Sequence, residues 1–537
     1  MKSYTKLFLL PALLVSVQLF AQESAIISTE IHSNQQVFIT GEDIWLEGSM
    51  LQGNTSSKSI TVRLIDRNGE SKLEKDLQHK QNKFSGFLPV PENLISDYYF
   101  LDCFIKGEKT KNQIQPVIVI NPKIPPVLNC LPAVGTNSEN TAYNARISIQ
   151  SDKNEYLQRE PVQVNIGGLN SFTDISVTAE RTDRLSDLIQ QNTVGFNNIR
   201  LHEATGLKEE EGHVIKARLM TNGKPQYGFT LLAGIKSQRS NIASAKTDNN
   251  GIATFILPSN FENTQLIITT EKKLPNNSQI EILKSTNTKE PISFPCLQLN
   301  EYMREDIEQR ILNSSINFRF YGNSTKAYAI PERDTTDFYG KPDQRFLLDE
   351  YVRFPNMEEV ITEIIPELRI KKEGGNLFLQ VLNIPFKTFF SDQALILVDG
   401  VPVSNAREIL DADPLRIRSI DLVTRRYMLG VTEFPGIVHF KSYKRDLAGL
   451  SPNANSLTSA FSGLQESASL QAPVLTDAKM PDMRNLLLYE QNIMADETGM
   501  AHFKFNTSDA PGTYTIKVRA MTLGKQAVLK QLSFKVK

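Results

Sequence analysis

Apolar residues in this chain come in short runs, and turn chemistry cuts nearly every run off. Val37–Ile39, Ile44–Leu46, Ile60–Ile65, Tyr98–Ile105 and Val117–Ile120 alternate with Thr40-Gly41-Glu42-Asp43, Asp66-Arg67-Asn68-Gly69 and the stretch 89–93. A helix that buries one face needs about 10 or more residues of helical period, whereas runs this short between Gly, Asn and Asp specify strands. The same grammar returns over 146–179, over 214–272 and over 486–536. Its turns there are Thr221–Pro225, Asp248–Gly251, Asp496–Gly499 and Ala510–Thr513. The expected fold is mostly β, in tandem Ig-like β-sandwiches. At roughly 100–200 residues per domain, 537 residues predict three to five such units.

Four stretches break the pattern. Lys2 and Lys6 precede the apolar run Leu7–Phe20 and the small residue Ala21, which predicts a signal peptide over 1–21. Position 22 is Gln, so a lipid anchor on Cys is not expected, and no later run approaches the ~20 residues of a membrane span. The expected mature protein is exported and has no transmembrane segment. Leu299–Asn313 has helical period, with Leu299, Met303, Ile307, Ile311 and Leu312 on one face, and predicts a connecting helix. Between 346 and 445 helical segments (357–365, 406–410) mix with strands (377–381, 394–398, 417–423, 437–440), as in a small α+β unit. The Ser, Ala, Asn and Gln of 450–472 predict a flexible loop.

Composition and motifs argue against most chemistry. Lys and Arg total 59 against 60 Asp and Glu, so no single-sign field draws nucleic acid. Cys103, Cys130 and Cys296 are too few for a disulfide framework. No phosphate-binding Gly-rich loop, His-Glu-x-x-His or Gly-x-Ser-x-Gly occurs. His202-Glu203 with Glu209–Glu211 and His213 comes nearest to a metal cluster, but its spacing matches no ligand frame and it reads as a solvated acidic loop. Asp399-Gly400 reads as a tight turn rather than a catalytic carboxylate at a strand end. Cys296 lacks a His partner and reads as a buried structural thiol. Trp45 reads as core or a half-buried strand residue. No catalytic residue, metal or cofactor is expected.

Two patterns resemble known families. Phe38–Gly48, then Val62–Gly69, Gly86-Phe87-Leu88-Pro89 and Tyr98–Leu101, resemble the MG2-type domain of bacterial alpha-2-macroglobulin-like proteins. Thr247–Ala253 is similar to a hairpin of such domains, and Met483–Leu488 with Asp496–Gly499 and Phe505–Tyr514 resembles a further macroglobulin-type segment. Ala394–Val403, Ile417–Val423 and Gly436–Phe440 resemble the plug domain of TonB-dependent receptors. Too few residues follow Arg445 for a barrel of ~22 strands at ~10 residues each, so the plug-like unit is not expected inside a barrel of its own. The order of units resembles exported envelope proteins of Bacteroidetes-type bacteria.

Pattern and resemblance together imply this division: signal peptide 1–21, MG2-type sandwich 22–122, second sandwich 140–200, Ig-like sandwich 212–290, helical connector 296–345, plug-like α+β domain 346–445, flexible loop 446–475 and macroglobulin-like β-domain 476–537. It implies a non-enzymatic cell-envelope adaptor, periplasmic or outer-membrane-associated, that docks on an outer-membrane protein such as a TonB-dependent receptor. The implied contact residues are the plug-like motif Asp399, Gly400, Val401 and Pro402, with Gly436. Two alternatives stay open: a component of TonB-dependent transport, and a non-covalent macroglobulin-like protease inhibitor with bait in 450–472. The covalent Cys-Gly-Glu-Gln thioester motif is absent.

Overall fold

The computed structural model describes residues 26–126, 147–186, 188, 199–203, 207–210, 212–237, 240–261, 263–270, 274–275, 277–283, 290–328, 336–451, 456–474, 477, 479–522 and 527–537. The expected signal peptide, Cys130 and Glu211 lie outside these residues. The described chain is mostly β, arranged as tandem sandwiches with one mixed unit.

In the first sandwich, Ile27–Ser33, Asp43–Gln52 and Lys83–Pro89 face Ser59–Ile65, Asp97–Phe104 and Gln115–Ile120. Ile31, Leu46, Val62, Leu64, Leu101 and Val119 close the core between them. Every residue of Asp97–Phe104 is buried, a pattern that period-2 alternation alone does not give. The reason is a second cover. Tyr98 and Phe100 point away from the core and pack on Phe294, tilted and edge-on respectively, with Leu297 and Met303 beside it.

The second sandwich is discontinuous. Residues 148–181 supply Ser148–Ser151, Glu155–Tyr156, Pro161–Gly167 and Phe172–Arg181. The C-terminal segment supplies the rest: Ala501–Asn506 pairs with Pro161–Gly167, while Leu486–Ile493 and Gly512–Thr522 flank Phe172–Arg181. The strands expected in separate domains over 140–200 and 476–537 therefore form one unit, except that Leu185, Leu188 and Ile199–His202 go with the first sandwich. Neither half has enough strands to cover the buried positions Val162, Val164, Ile166, Val177 and Ala179 on its own.

The third sandwich, Gly212–Thr221 to Ser278–Ile282, also borrows a strand. Leu457–Phe461 pairs with Thr264–Thr270 at its edge. Farther on, Gln465 bridges to Leu77 and Ala468–Leu470 pairs with Lys326–Tyr328. Ala468 then packs with Trp45, Phe87 and Tyr489. Within the expected flexible loop over 446–475, the described stretch 456–474 is thus a strap carrying two strands. Its polar composition hid them, because a strand at a sheet edge keeps half its side chains in water. Trp45, 3% exposed, lies where the strap crosses the first sandwich.

The connecting helix runs Arg304–Tyr321, longer and later than expected. Its buried residues are Arg310, Asn313 and Tyr321, whereas Leu312 is 53% exposed. Polar side chains dock it, which an apolar stripe cannot forecast. Arg310 reaches Glu42 and Asp183, Asn313 donates to Asn485, and Tyr321 donates to the Pro481 carbonyl.

In the mixed unit a five-stranded sheet runs in the order Gln344–Leu347, Ile417–Val423, Ile437–Ser442, Leu395–Val398, Val401–Val403. Met357–Ile364 and Ala406–Leu410 are its helices. Asn356 and Asn405 cap them, and Pro366 follows the first closely.

A polar pocket on the mixed unit

The two faces of the five-stranded sheet differ. Ile396, Val398, Ile420, Leu422, Val438 and Phe440 belong to the unit's own core. Alternation sends their neighbours to the other face. There Leu395, Leu397, Val423 and Ile437 pack on Leu232 and Ile242 of the third sandwich. The rest of that face is polar and lines a cavity of about 490 Å³, together with Ser237, Ser240, Thr336, Asp337 and Gly340–Pro342.

Register builds the cavity floor. Arg345 lies opposite Asp421, and Asp421 lies opposite His439. Arg345 donates to both Asp421 oxygens at 2.6 and 2.8 Å. Lys441 Nζ bridges Asp337 and Asp421 at 2.7 and 2.9 Å. The Gly400 N–H donates to His439 Nε2 at 2.9 Å, so the neutral ring carries its proton on Nδ1, which faces Tyr339 Oη at 2.8 Å. Tyr339 passes its own proton towards Asp337 or Asp421, at 3.0 and 3.2 Å.

Burial holds the His439 imidazole down to about 4, so the ring is neutral at pH 7. Burial also pushes the Asp337 carboxyl up, but His439, Lys441 and Ser240 outweigh it and bring the group to about 2. Burial, then Asp337 and Asp421, raise the Tyr339 phenol. Two carboxylates thus face two cations across a neutral ring and a neutral phenol. The floor carries no net charge, and both imidazole nitrogens are occupied.

That arrangement limits the chemistry. A general base needs a free acceptor within reach of substrate, and His439 has none. Ser240 Oγ donates to Asp337 and Ser442 Oγ to Asp399, so neither hydroxyl faces an imidazole. Ligand atoms of Asp337, Asp421 and His439 lie within 4.8 Å of one another. The Lys441 ammonium already serves both carboxylates, where a cation would sit. Asp76, Glu209 and His213 form a second such group, with Lys106 Nζ 2.7 Å from Asp76 and 3.5 Å from Glu209.

The expected solvated acidic loop over 202–213 needs correction. His202 turns to Asp102, at 3.0 Å beside Arg63, while Glu209 and His213 bury themselves near Asp76. The segment splits between two buried sites because Ile199–His202 pairs with Thr110–Gln113 before the chain turns into Gly212–Thr221. Cys296 is disulfide-bonded rather than a thiol, and burial pushes the Cys103 thiol up to about 12.

The plug-like motif also departs from expectation. Asp399 and Gly400 have φ of 48° and 80° and make the tight turn between Leu395–Val398 and Val401–Val403. The Asp399 carboxylate accepts from Ser442 N and Oγ, both at 2.7 Å, and from Leu447 N at 2.9 Å. A Cβ on Gly400 would lie 2.9 Å from Ser240 Cα, and one on Gly234 would lie 2.7 Å from Pro402 Cδ. Val401 is 3% exposed, and Gly436 is buried against Val423 and Val381. The five residues expected to meet a partner are buried, and Gly400 and Pro402 meet the chain's own third sandwich.

Sequence reading missed Asp337, Tyr339, Arg345 and Lys441. The available signal was a lone polar residue inside an apolar strand: Asp421 between Ile420 and Leu422, His439 between Val438 and Phe440.

His439 sets a pH dependence with a definite sign. The unfolded ring gains its proton below about 6.5, and the folded ring resists until about 4. Stability is therefore lost as pH falls through this window, by about 3 kcal/mol between pH 7 and 4. Urea midpoints across that range will fall less steeply in His439→Gln than in the parent. Equal slopes would refute the assignment.

No family model matches the sequence, and no curated protein matches it. Solved structures that match include Salmonella alpha-2-macroglobulin reacted with methylamine, at 8% identity, TM-score 0.22 and 96% of this chain covered. Trypsin-activated alpha-2-macroglobulin from Escherichia coli matches at 9% identity, TM-score 0.23 and 95% covered. The chain spans 40% and 41% of those two chains. Scores this low carry no argument about this chain, whose β-sandwich class rests on its own sheets.

Proposed function

We propose that this chain is a non-enzymatic interaction protein of the cell envelope, a rigid β-scaffold that docks on an outer-membrane protein or complex. The observation that carries the reading is the interlocking of the units. The strap 456–474 pairs in turn with the third sandwich, the first sandwich and the connector, and the C-terminal strands complete the second sandwich. Such crossings hold surfaces of different units at fixed spacing, which suits a scaffold. The occupied nitrogens of His439 and the inert cysteines favour a non-enzymatic role. Docking uses surface other than Asp399–Pro402 and Gly436, because those residues are buried. A protease trap is disfavoured, since strand pairing at Leu457–Phe461 and Ala468–Leu470 ties the candidate bait down at two places. Crosslinking in intact cells followed by mass spectrometry is expected to capture one recurrent outer-membrane protein. Recovery of the chain alone would overturn the proposal.

A further inference from the structure

We propose that the pocket on the mixed unit binds a small ligand bearing more than one oxyanion group, a polycarboxylate or an organic phosphate. This stands independently of the scaffold reading. The cavity, about 490 Å³, falls in the range of small-molecule sites, roughly 300–1,000 Å³. Five cations line it (Lys341, Arg345, Arg418, Lys441, Arg445) against two carboxylates, Asp337 and Asp399, a surplus of three positive charges. Counting Asp421 beneath the floor leaves a surplus of two.

The surplus is concentrated on particular residues. Arg345 and Lys441 are taken up by Asp337 and Asp421, and the Asp399 oxygens by Ser442 and Leu447. The side chains of Lys341, Arg418 and Arg445 make no hydrogen bond or salt bridge among the described residues, and Arg418 has only a longer-range attraction to the exposed Asp349 carboxylate. They come from three places: the turn before Gln344–Leu347, the strand Ile417–Val423 and the turn after Ile437–Ser442. Three cations around a hydrogen-bonded, neutral floor focus a positive field into the cavity. Guanidinium groups match planar or tetrahedral oxyanions through paired N–H donors. A ligand that meets all three carries more than one such group.

The backbone at the rim adds a second observation. Arg445, Leu447 and Ala448 have φ of 53°, 61° and 55°, left-handed conformations that cost about 1 kcal/mol or more apiece outside glycine. The Asp399 carboxylate holds this turn through the Leu447 N–H. Leu447 and Ala448 pack into the unit's core, which anchors the turn, while Arg445 is exposed and stands at the cavity mouth.

Calorimetric titration of the full chain at low salt tests the proposal. Citrate and inorganic phosphate are the probes, with acetate at matched ionic strength as the control. Saturable binding of citrate, phosphate or both, at least tenfold tighter than acetate, is expected. Citrate alone assigns a polycarboxylate ligand, and phosphate alone assigns a phosphorylated one. Arg418→Gln/Arg445→Gln should weaken that binding at least tenfold and leave the ligand-free melting temperature unchanged, whereas Lys504→Gln, on the exposed face of a distant strand, should change neither binding nor melting temperature. Binding no tighter than acetate, or undiminished in the double variant, overturns the proposal.

Discussion

A chain ending at residue 475 will lose the second sandwich as a unit. Four strands would remain over 148–181, with Val162, Val164, Ile166, Val177 and Ala179 stripped of cover. The truncation removes Tyr514, Ile516, Val518 and Phe534 from the core, along with the ladders Val162↔Phe505 and Ala179↔Ile516. It also removes Asp509, which accepts both Arg159 donors at 2.6 Å. Burying a large apolar side chain is worth roughly 1.5–3 kcal/mol, so losing four matches or exceeds much of the 5–15 kcal/mol that holds an ordinary domain together. Hydrogen exchange over 161–181 should accelerate to the rate of an unfolded chain, while 59–65 stays protected. A separate polypeptide covering 476–537 should restore protection. Persistent protection of 161–181 in the shortened chain would show that the N-terminal half folds alone.

Local rules explain what could be read beforehand. Asp248 Oδ1 accepts from the Asn250 and Ile252 amides, Gly251 takes φ of 73°, and the turn stands where its four residues placed it. The helix Met357–Ile364, with its Asn356 cap, is likewise set by neighbours in sequence. Pairing is different. Nothing in Pro161–Gly167 names Ala501–Asn506 as its partner, because an alternating strand accepts any ladder of compatible face and length. The strap failed for a related reason: a polar strand is visible only through the sheet it borders. The pocket combined both difficulties. The Asp399-Gly400 turn was legible, but its burial depends on Ser240, which lies far away in sequence. Arg345, Asp421 and His439 become neighbours only once three strands are in register.

Replacing Arg310 with Met should be among the most damaging single changes in the first sandwich and its connector. The side chain is 5% exposed, with Nη2 2.6 Å from Glu42 Oε2 and 3.1 Å from the Val37 carbonyl, and Nη1 3.5 Å from Asp183. Glu42 also accepts from the Ile39 N–H and from Ser314, so it cannot swing out to water without breaking the turn. Met fills much of the volume but leaves two carboxylates without their cation, a loss of about 3–5 kcal/mol. Burial already raises the Asp183 carboxyl, with Arg310 opposing it. Without the guanidinium that carboxyl rises further, so protonation relieves the variant as the medium is acidified. The deficit against the parent, measured by urea denaturation, should therefore shrink between pH 7 and pH 5. Adding Glu42→Gln should recover part of it, because the two sites share one interaction. Strict additivity of the two changes, or a deficit that ignores pH, would mean that helix Arg304–Tyr321 is held by its apolar contacts and that the ion pair is incidental.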